Sequence, residues 1–154
     1  WKKAWDRAEK MRLQKSTQFA LYAVLELAAD PERQLSTADI AARYGISAHH
    51  LAKVMRRLVR AGLIQSVRGV GGGYRFSGNV RRVTLWDVME LFEPDAQGVE
   101  DDEAAIGTPI SQALDNVRAE IDDLTRATMQ SITLKSLLKF APKEIDDELL
   151  LRSI

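Results

Sequence analysis

The 154-residue chain contains no cysteine. This absence excludes disulfide bonds, thiolate-held zinc or iron–sulfur sites, and cysteine nucleophiles. No run approaches the roughly 18 apolar residues that a membrane-spanning helix needs, so we expect no membrane partner. The N-terminal segment 1–10 is too charged for a signal peptide, and we therefore expect a cytoplasmic protein.

Histidine is scarce as well, since the chain has only His49 and His50. No set of nucleophile, base and orienting residue is visible around them, and the sequence therefore does not indicate an enzyme. Neighbouring residues of a helix point in different directions, so the pair is a poor metal site. An inert, exposed pair remains an alternative to a functional one. We expect neither a metal nor another cofactor.

Acidic residues are missing from one long stretch, although the whole chain balances 22 basic against 22 acidic side chains. None lies between Asp39 and Asp87. Residues 1–90 hold 16 basic and 8 acidic side chains, whereas residues 91–154 hold 6 and 14. A folded segment whose charged side chains are all basic indicates a polyanionic partner. The alternative is a solvated surface without a partner. The basic residues of this block, between Asp39 and Asp87, are Arg43, Lys53, Arg56, Arg57, Arg60, Arg68, Arg75, Arg81 and Arg82.

This basic block follows the pattern of a winged helix. Apolar spacing predicts helices over 14–29, 37–44 and 48–61. The second begins with Ser36 and Asp39 in a capping-box arrangement and is closed by Gly45, and Ser47 is the predicted N-cap of the third. The last two helices are joined by a three-residue turn. Two helices joined in this way are typical of a helix-turn-helix.

A β-hairpin is predicted directly after the third helix. Residues 63–67 alternate apolar and polar side chains, residues 68–73 form a glycine-rich turn, and residues 74–76 return as the second strand. The glycine-rich turn is a weak candidate for a nucleotide phosphate cradle, because it lacks the lysine-containing pattern and no helix follows it. The predicted fold is therefore mainly α with a small β-hairpin wing.

The second half of the chain contains a long amphipathic helix from about Pro109 to Gln130. Its apolar positions alternate spacings of four and three, which is typical of a coiled-coil stripe. We interpret it as a dimerisation helix, because a small winged helix does not need it and a dimer doubles the DNA contacts. Packing within the same chain is the alternative. The predicted dimerisation residues are Ile110, Leu114, Val117, Ile121 and Leu124.

These elements divide the chain into segments. We expect an extension of unassigned role at 1–10, a winged helix-turn-helix domain at 11–83, a connecting helix at 84–94, an acidic loop at 95–108, and dimerisation and C-terminal helices at 109–154. The acidic loop does not match the spacing of a calcium-binding loop, and we interpret it as solvated.

The second helix of a helix-turn-helix lies in the major groove, with its first residues at the base edges. Ser47 and His49 suit base or phosphate contacts, whereas Arg56 and Arg57 lie further along and suit phosphates. Arg68 at the root of the wing suits a minor groove, and the glycines let the wing approach the sugar–phosphate backbone. The predicted DNA-binding residues are Ser47, His49, His50, Lys53, Arg56, Arg57, Arg68, Gly71, Gly72 and Tyr74.

Several stretches resemble the Rrf2 family of bacterial transcriptional regulators. The most specific runs from Leu58 to Tyr74 and contains Ala61-Gly62-Leu63-Ile64 and Arg68-Gly69 followed by three further glycines. Weaker matches occur around Met11, at Ile40-Ala41, at Ile46-Ser47 and at Ile132-Thr133-Leu134, so the resemblance spans roughly residues 11–140. It implies a homodimeric winged-helix regulator whose long helices cross between protomers. It also implies binding to a palindromic site on double-stranded DNA. Many members of the family repress transcription, and some also activate it.

The chain departs from this family at one point. Cluster-binding members carry cysteines in the loop after the 85–92 helix, and some add a carboxylate from the first helix, where this chain has Gln18. The resemblance therefore implies a regulator without an iron–sulfur cluster, unless cysteines were removed by engineering. Its input stays open between a protein partner on the acidic C-terminal half, with residues 145–154 as one candidate segment, and a small-molecule effector between the dimer helices near Trp86.

Overall fold

The computed structural model describes residues 13–93 and 107–140. In chain order its elements are α1 (Lys15–Ala29), α2 (Thr37–Tyr44), α3 (Ala48–Arg60), β1 (Ile64–Val67), β2 (Gly73–Phe76), α4 (Leu85–Met89), α5 (Pro109–Ser131) and α6 (Leu134–Phe140). The prediction of a mainly helical protein with one antiparallel hairpin is confirmed. The predicted extension at 1–10, most of the predicted acidic loop and the tail at 141–154 lie outside the described residues. No helix in the described ranges is both long and apolar enough to cross a bilayer.

Helix α1 forms the centre of the core, because it packs against α3, α4, α6 and β2. Its inward face combines the small side chains of Ala20 and Ala23 with Val24 and Leu27, all fully buried. The alanines let neighbouring helices approach closely, and the larger side chains fill the space between them. Truncating Leu27 to alanine would cost about 2–5 kcal/mol of stability.

Local capping sets both the start and the end of α2. The Ser36 hydroxyl accepts from the Asp39 backbone N–H at 3.1 Å, and the Asp39 carboxylate accepts from the Ser36 backbone N–H at 2.9 Å. These hydrogen bonds from Ser36 hold the pKa of Asp39 below its usual value. Gly45 ends α2 at φ 62°, a left-handed conformation that glycine adopts without steric cost. The capping box and the closing glycine predicted from the sequence are both confirmed.

A polar clasp fastens α2 to α1. Glu26 accepts hydrogen bonds from the Tyr44 hydroxyl and from Arg43 Nη1, the latter at 3.0 Å. The ring of Tyr44 stacks on Tyr22 with centroids 4.5 Å apart. Burial, with a contribution from the hydrogen bond to Glu26, raises the pKa of Tyr44 to about 12. The clasp therefore fixes the orientation of α2 against α1.

The hairpin pairs β1 with β2, and one isolated antiparallel bridge joins β2 to the segment before α2. Leu35 and Tyr74 exchange two backbone hydrogen bonds, at 3.0 and 2.9 Å. A Cβ on Gly73 would lie 2.6 Å from the Leu35 carbonyl oxygen, and one on Gly72 would lie 2.5 Å from the Val67 carbonyl oxygen. The packing of the hairpin therefore requires glycine at these two positions, independently of any ligand.

The connecting helix is shorter than the sequence predicted. Helix α4 begins with a capping box between Thr84 and Asp87 and ends at Met89. The chain then turns, with the Phe92 N–H donating to the Met89 carbonyl at 2.9 Å. Phe92 is buried, although it no longer belongs to the helix, because the turn folds its ring back into the core.

Helix α5 begins as predicted, with Pro109 in its first turn and the Thr108 hydroxyl accepting from the Ser111 N–H at 3.1 Å. Against the described part of the chain none of its residues is buried. It contacts α4, where the Arg126 guanidinium lies 5.1 Å from the centroid of a Trp86 ring. The five predicted dimerisation residues are exposed, between 54% for Val117 and 75% for Ile110.

Candidate nucleic-acid interface

Helix α3 exposes one stripe of basic and polar side chains. His49, Lys53, Arg56 and Arg60 are spaced by four, three and four residues, and this spacing places them on one face of a helix. All of them are exposed, whereas the opposite face is buried in the core. Arg60 is missing from the DNA-binding residues predicted from the sequence. Its spacing from His49 would have identified it.

An open cleft of about 620 Å³ separates this stripe from the hairpin. It is lined by Lys53, Arg56, Val59, Arg60, Ser66 and Tyr74. The helix wall supplies three cations and the hairpin wall two hydroxyls, a combination that suits the oxygens of a phosphate. Three of the predicted DNA-binding residues therefore line the same cleft, namely Lys53 and Arg56 on α3 and Tyr74 in the wing.

The pairing register explains which hairpin side chains line the cleft. Ser66 is paired directly with Tyr74, so their side chains share one face of the two-stranded sheet. The next pair, Gln65 and Arg75, lies on the other face. There the Gln65 carboxamide, oriented with its oxygen toward Arg75, accepts from Arg75 Nη2 at 2.7 Å. Arg75 is thus held on the face of the hairpin that points away from α3.

The first turn of α3 presents the side chains that were predicted to reach base edges. Ser47 occupies the N-cap position of α3, as predicted, but its hydroxyl makes no capping hydrogen bond to the described residues. The hydroxyl is therefore exposed and available to a ligand. The rings of His49 and His50 are 6.0 Å apart and inclined by 54°. His49 lies in the stripe, whereas His50 lies at its edge.

Arg57 points to a different neighbour from the rest of the basic set. Its guanidinium carbon lies 5.0 Å from the centroid of the Phe92 ring, beyond the end of α4. A cation over an aromatic face gains about 0.5–1 kcal/mol at an exposed site. Arg56, one residue earlier, instead faces the cleft. The sequence placed both arginines on phosphates without distinguishing them.

The wing ends in a turn built from glycines. Gly69 and Gly71 have φ values of 117° and 75°, and the Gly72 N–H donates to the Gly69 carbonyl at 3.0 Å. Arg68 and Val70 are exposed on this turn. Around Gly71 a Cβ would meet nothing, so an approaching backbone has room there, but at Gly72 the space is already occupied by the hairpin itself.

An iron–sulfur cluster does not fit the residues of this chain. There is no cysteine to hold it, and no group of histidine and carboxylate side chains in the described ranges could bind a metal ion. Glu93, the carboxylate just before residues 94–106, is already engaged with the start of α1. Its Oε1 accepts from the Gln14 N–H at 3.0 Å and from the Thr17 hydroxyl at 2.5 Å.

A helix-turn-helix with an exposed basic second helix and an adjoining hairpin defines a winged-helix DNA-binding protein. The comparisons with known proteins specify which kind. Residues 13–139 match the model of the Rrf2 family, described as an iron-dependent transcriptional regulator, and the chain belongs to that family. It is accordingly a DNA-binding transcriptional regulator and not an enzyme.

Individual relatives agree with this assignment. The chain is 56% identical over 135 residues to the HTH-type transcriptional regulator BadM of Rhodopseudomonas palustris, covering 87% of this chain and 85% of BadM. The structure of CymR from B. subtilis has a TM-score of 0.70 at 26% identity, covering 86% of this chain and 99% of CymR. IscR from T. potens has a TM-score of 0.70 at 26% identity, covering 90% of this chain and 93% of IscR.

Proposed function

We propose that this protein is a repressor that binds a palindromic operator as a homodimer and works without an iron–sulfur cluster. The observation that carries the proposal is the exposed stripe on α3, which places His49, Lys53, Arg56 and Arg60 on one face beside the wing. A major groove admits an α-helix, and such a face fits it.

The stripe divides into two parts along the helix axis. His49 lies at the N-terminal end, together with the Ser47 hydroxyl, which makes no capping hydrogen bond to the described residues. At this end a recognition helix meets base edges. Arg56 and Arg60 lie one and two turns beyond Lys53, where the helix passes the sugar–phosphate backbone. We assign sequence discrimination to the first pair and most of the salt-dependent affinity to the second.

The dimer is supported by the apolar stripe of α5. Five aliphatic side chains in a row, each more than half exposed, form a surface that soluble monomers avoid. The 3.5-residue period of the stripe suits a second helix of the same kind, and a second copy of this chain supplies it. A two-fold dimer presents two recognition helices and therefore matches a palindrome.

The regulatory input has less support than the DNA contacts. A small-molecule effector between the dimer helices would lie near Trp86, which α5 covers with Arg126. The alternative is a protein partner on the C-terminal half, of which residues 145–154 lie outside the described residues. Titrating candidate metabolites while following Trp fluorescence and operator affinity tests the first of these.

The experiment that tests the proposal selects the duplexes that the protein binds from a random pool. It then measures the affinity of the protein for the selected duplex and for a scrambled duplex of the same composition. Wild type and His49→Ala are compared at moderate salt, with Arg75→Ala as the control from the outer face of the hairpin. We expect the selected sequence to be palindromic and to be bound more tightly than the scrambled duplex. Of the two variants, only His49→Ala is expected to lose this discrimination. Equal binding of both duplexes by the wild type would refute sequence-specific regulation. Repression is tested by transcription in vitro from a promoter that overlaps the operator.

A further inference from the structure

The tip of the wing carries an exposed apolar side chain that the proposed contacts do not use. Val70 is fully exposed, more so than any other large hydrophobic residue of the described chain. A single exposed apolar residue on a flat surface needs no explanation. Val70 differs because it lies at the end of a projecting hairpin, beside an exposed cation, Arg68.

The turn holds Val70 outward by its backbone geometry. Positive φ values at Gly69 and Gly71 bracket it, and the hydrogen bond from Gly72 to Gly69 closes the turn. Turn positions of this kind are normally filled by Gly, Asn, Asp or Ser, which are solvated well or hydrogen-bond their own backbone. A β-branched apolar residue gains nothing there in water. Departures of this sort from local preference are typical of functional sites.

The surface that fits this tip is a minor groove of DNA. Its walls are deoxyribose rings, which are apolar, and its negative potential attracts a cation such as Arg68. Its floor is smooth at A·T pairs and carries the guanine N2 amino group at G·C pairs. A protein interface would need a far larger apolar patch than one valine provides.

We propose that Val70 packs into the minor groove next to each half-site and makes the protein prefer A·T pairs there. The inference rests on the proposed function, since it needs the wing to lie along bound DNA. Valine offers no acceptor to the guanine amino group, so a G·C pair at this position buries an unpaired donor and displaces the side chain. A mismatched contact of this kind costs on the order of tenfold in affinity.

The test uses inosine, because an inosine·cytosine pair keeps the major-groove edge of G·C but lacks the N2 amino group. Duplexes from the selection are made with A·T, G·C or I·C at each position that flanks a half-site. Wild type is expected to bind the A·T and I·C duplexes equally and the G·C duplex about tenfold more weakly at one position. In Val70→Ala the difference shrinks to about twofold, whereas Val70→Ile keeps it.

Both substitutions leave the turn glycines in place and lie on a fully exposed side chain, so neither disturbs folding. Because valine carries no charge, the salt dependence of binding stays unchanged in Val70→Ala, whereas Arg68→Ala lowers it. Equal discrimination in wild type and Val70→Ala, or binding of I·C as weakly as G·C, overturns the inference while operator binding itself stands. Failure to select any operator overturns the proposed function, and this inference with it.

Discussion

Two helices of this chain present long stripes to solvent, and the stripes have opposite chemistry. Helix α3 buries one face in the core and exposes His49, Lys53, Arg56 and Arg60, which water solvates well. Helix α5 buries no residue against the described chain and exposes a row of aliphatic side chains instead. Charged faces are stable in water, but an apolar stripe of this length is not. The difference indicates that the two helices meet different partners, a polyanion at α3 and an apolar surface at α5.

The largest effect is expected from a charge introduced into the apolar stripe of α5. Ile121→Glu places a carboxylate where we propose that a second copy packs, and burying it there without a partner is prohibitive. We expect a monomer by sedimentation equilibrium and a loss of operator affinity of about 100-fold or more, because the two half-sites are no longer bound together.

The matched control for this variant is Ala119→Glu, which adds the same carboxylate to the same helix on the side away from the stripe. It is expected to remain dimeric and to bind the operator like the wild type. A dimer in both variants would mean that the stripe of α5 is not the interface. Circular dichroism establishes that both variants stay folded.

The second largest effect concerns the basic stripe, where two arginines of α3 differ only in their surroundings. Arg60 lines the cleft beside the hairpin, whereas Arg57 lies over the Phe92 ring. Arg60→Ala is expected to weaken operator and random DNA alike by about tenfold and to lower the salt slope by about one. Arg57→Ala should cost about twofold. Fluorescence anisotropy over a range of salt concentrations measures both, and the reverse order would show that Arg57 leaves the ring on DNA.

The distinction between these arginines shows where sequence reasoning ends. Local signals predicted the capping box at Ser36, the closing Gly45 and the start of α5 at Pro109, because each depends on a few neighbouring residues. The orientation of Arg57 depends on Phe92, which is 35 positions away in the sequence. No local pattern encodes such a contact.

The other differences between the sequence-based predictions and the structure also have specific physical causes. The apolar residues after Met89 extended the predicted connecting helix, although in the fold they belong to a turn that returns Phe92 to the core. The role of Gly72 was assigned to DNA, because the carbonyl that excludes a Cβ there becomes adjacent only when the hairpin forms. Arg60, by contrast, could have been predicted from helical spacing alone.

Smaller effects are expected from substituting two serines, Ser36 at the start of α2 and Ser47 at the start of α3. Ser36→Ala removes the cap of α2 and should lower the free energy of unfolding by about 1 kcal/mol, with operator affinity unchanged. Ser47→Ala removes a hydroxyl that caps nothing in the described chain, so stability should change by less than about 0.5 kcal/mol. Operator affinity should fall about fivefold. Urea denaturation and anisotropy on both variants decide the assignment, and a loss of stability in Ser47→Ala would make it a cap after all.

The smallest effect is a change in stability at alkaline pH, and it concerns Tyr44 in the contact between α1 and α2. The pKa of Tyr44 is raised from 10.0 to about 12, first by burial and then by the hydrogen bond to Glu26, so the folded state holds this proton more tightly than the unfolded state. The stabilisation is therefore complete below pH 10 and is lost progressively as the pH rises toward 12. Tyr44→Phe cannot ionise, and its denaturation midpoint should fall less steeply over that interval than that of the wild type. Parallel slopes for the two proteins would mean that other tyrosines or lysines govern the alkaline transition and that the clasp on α2 does not.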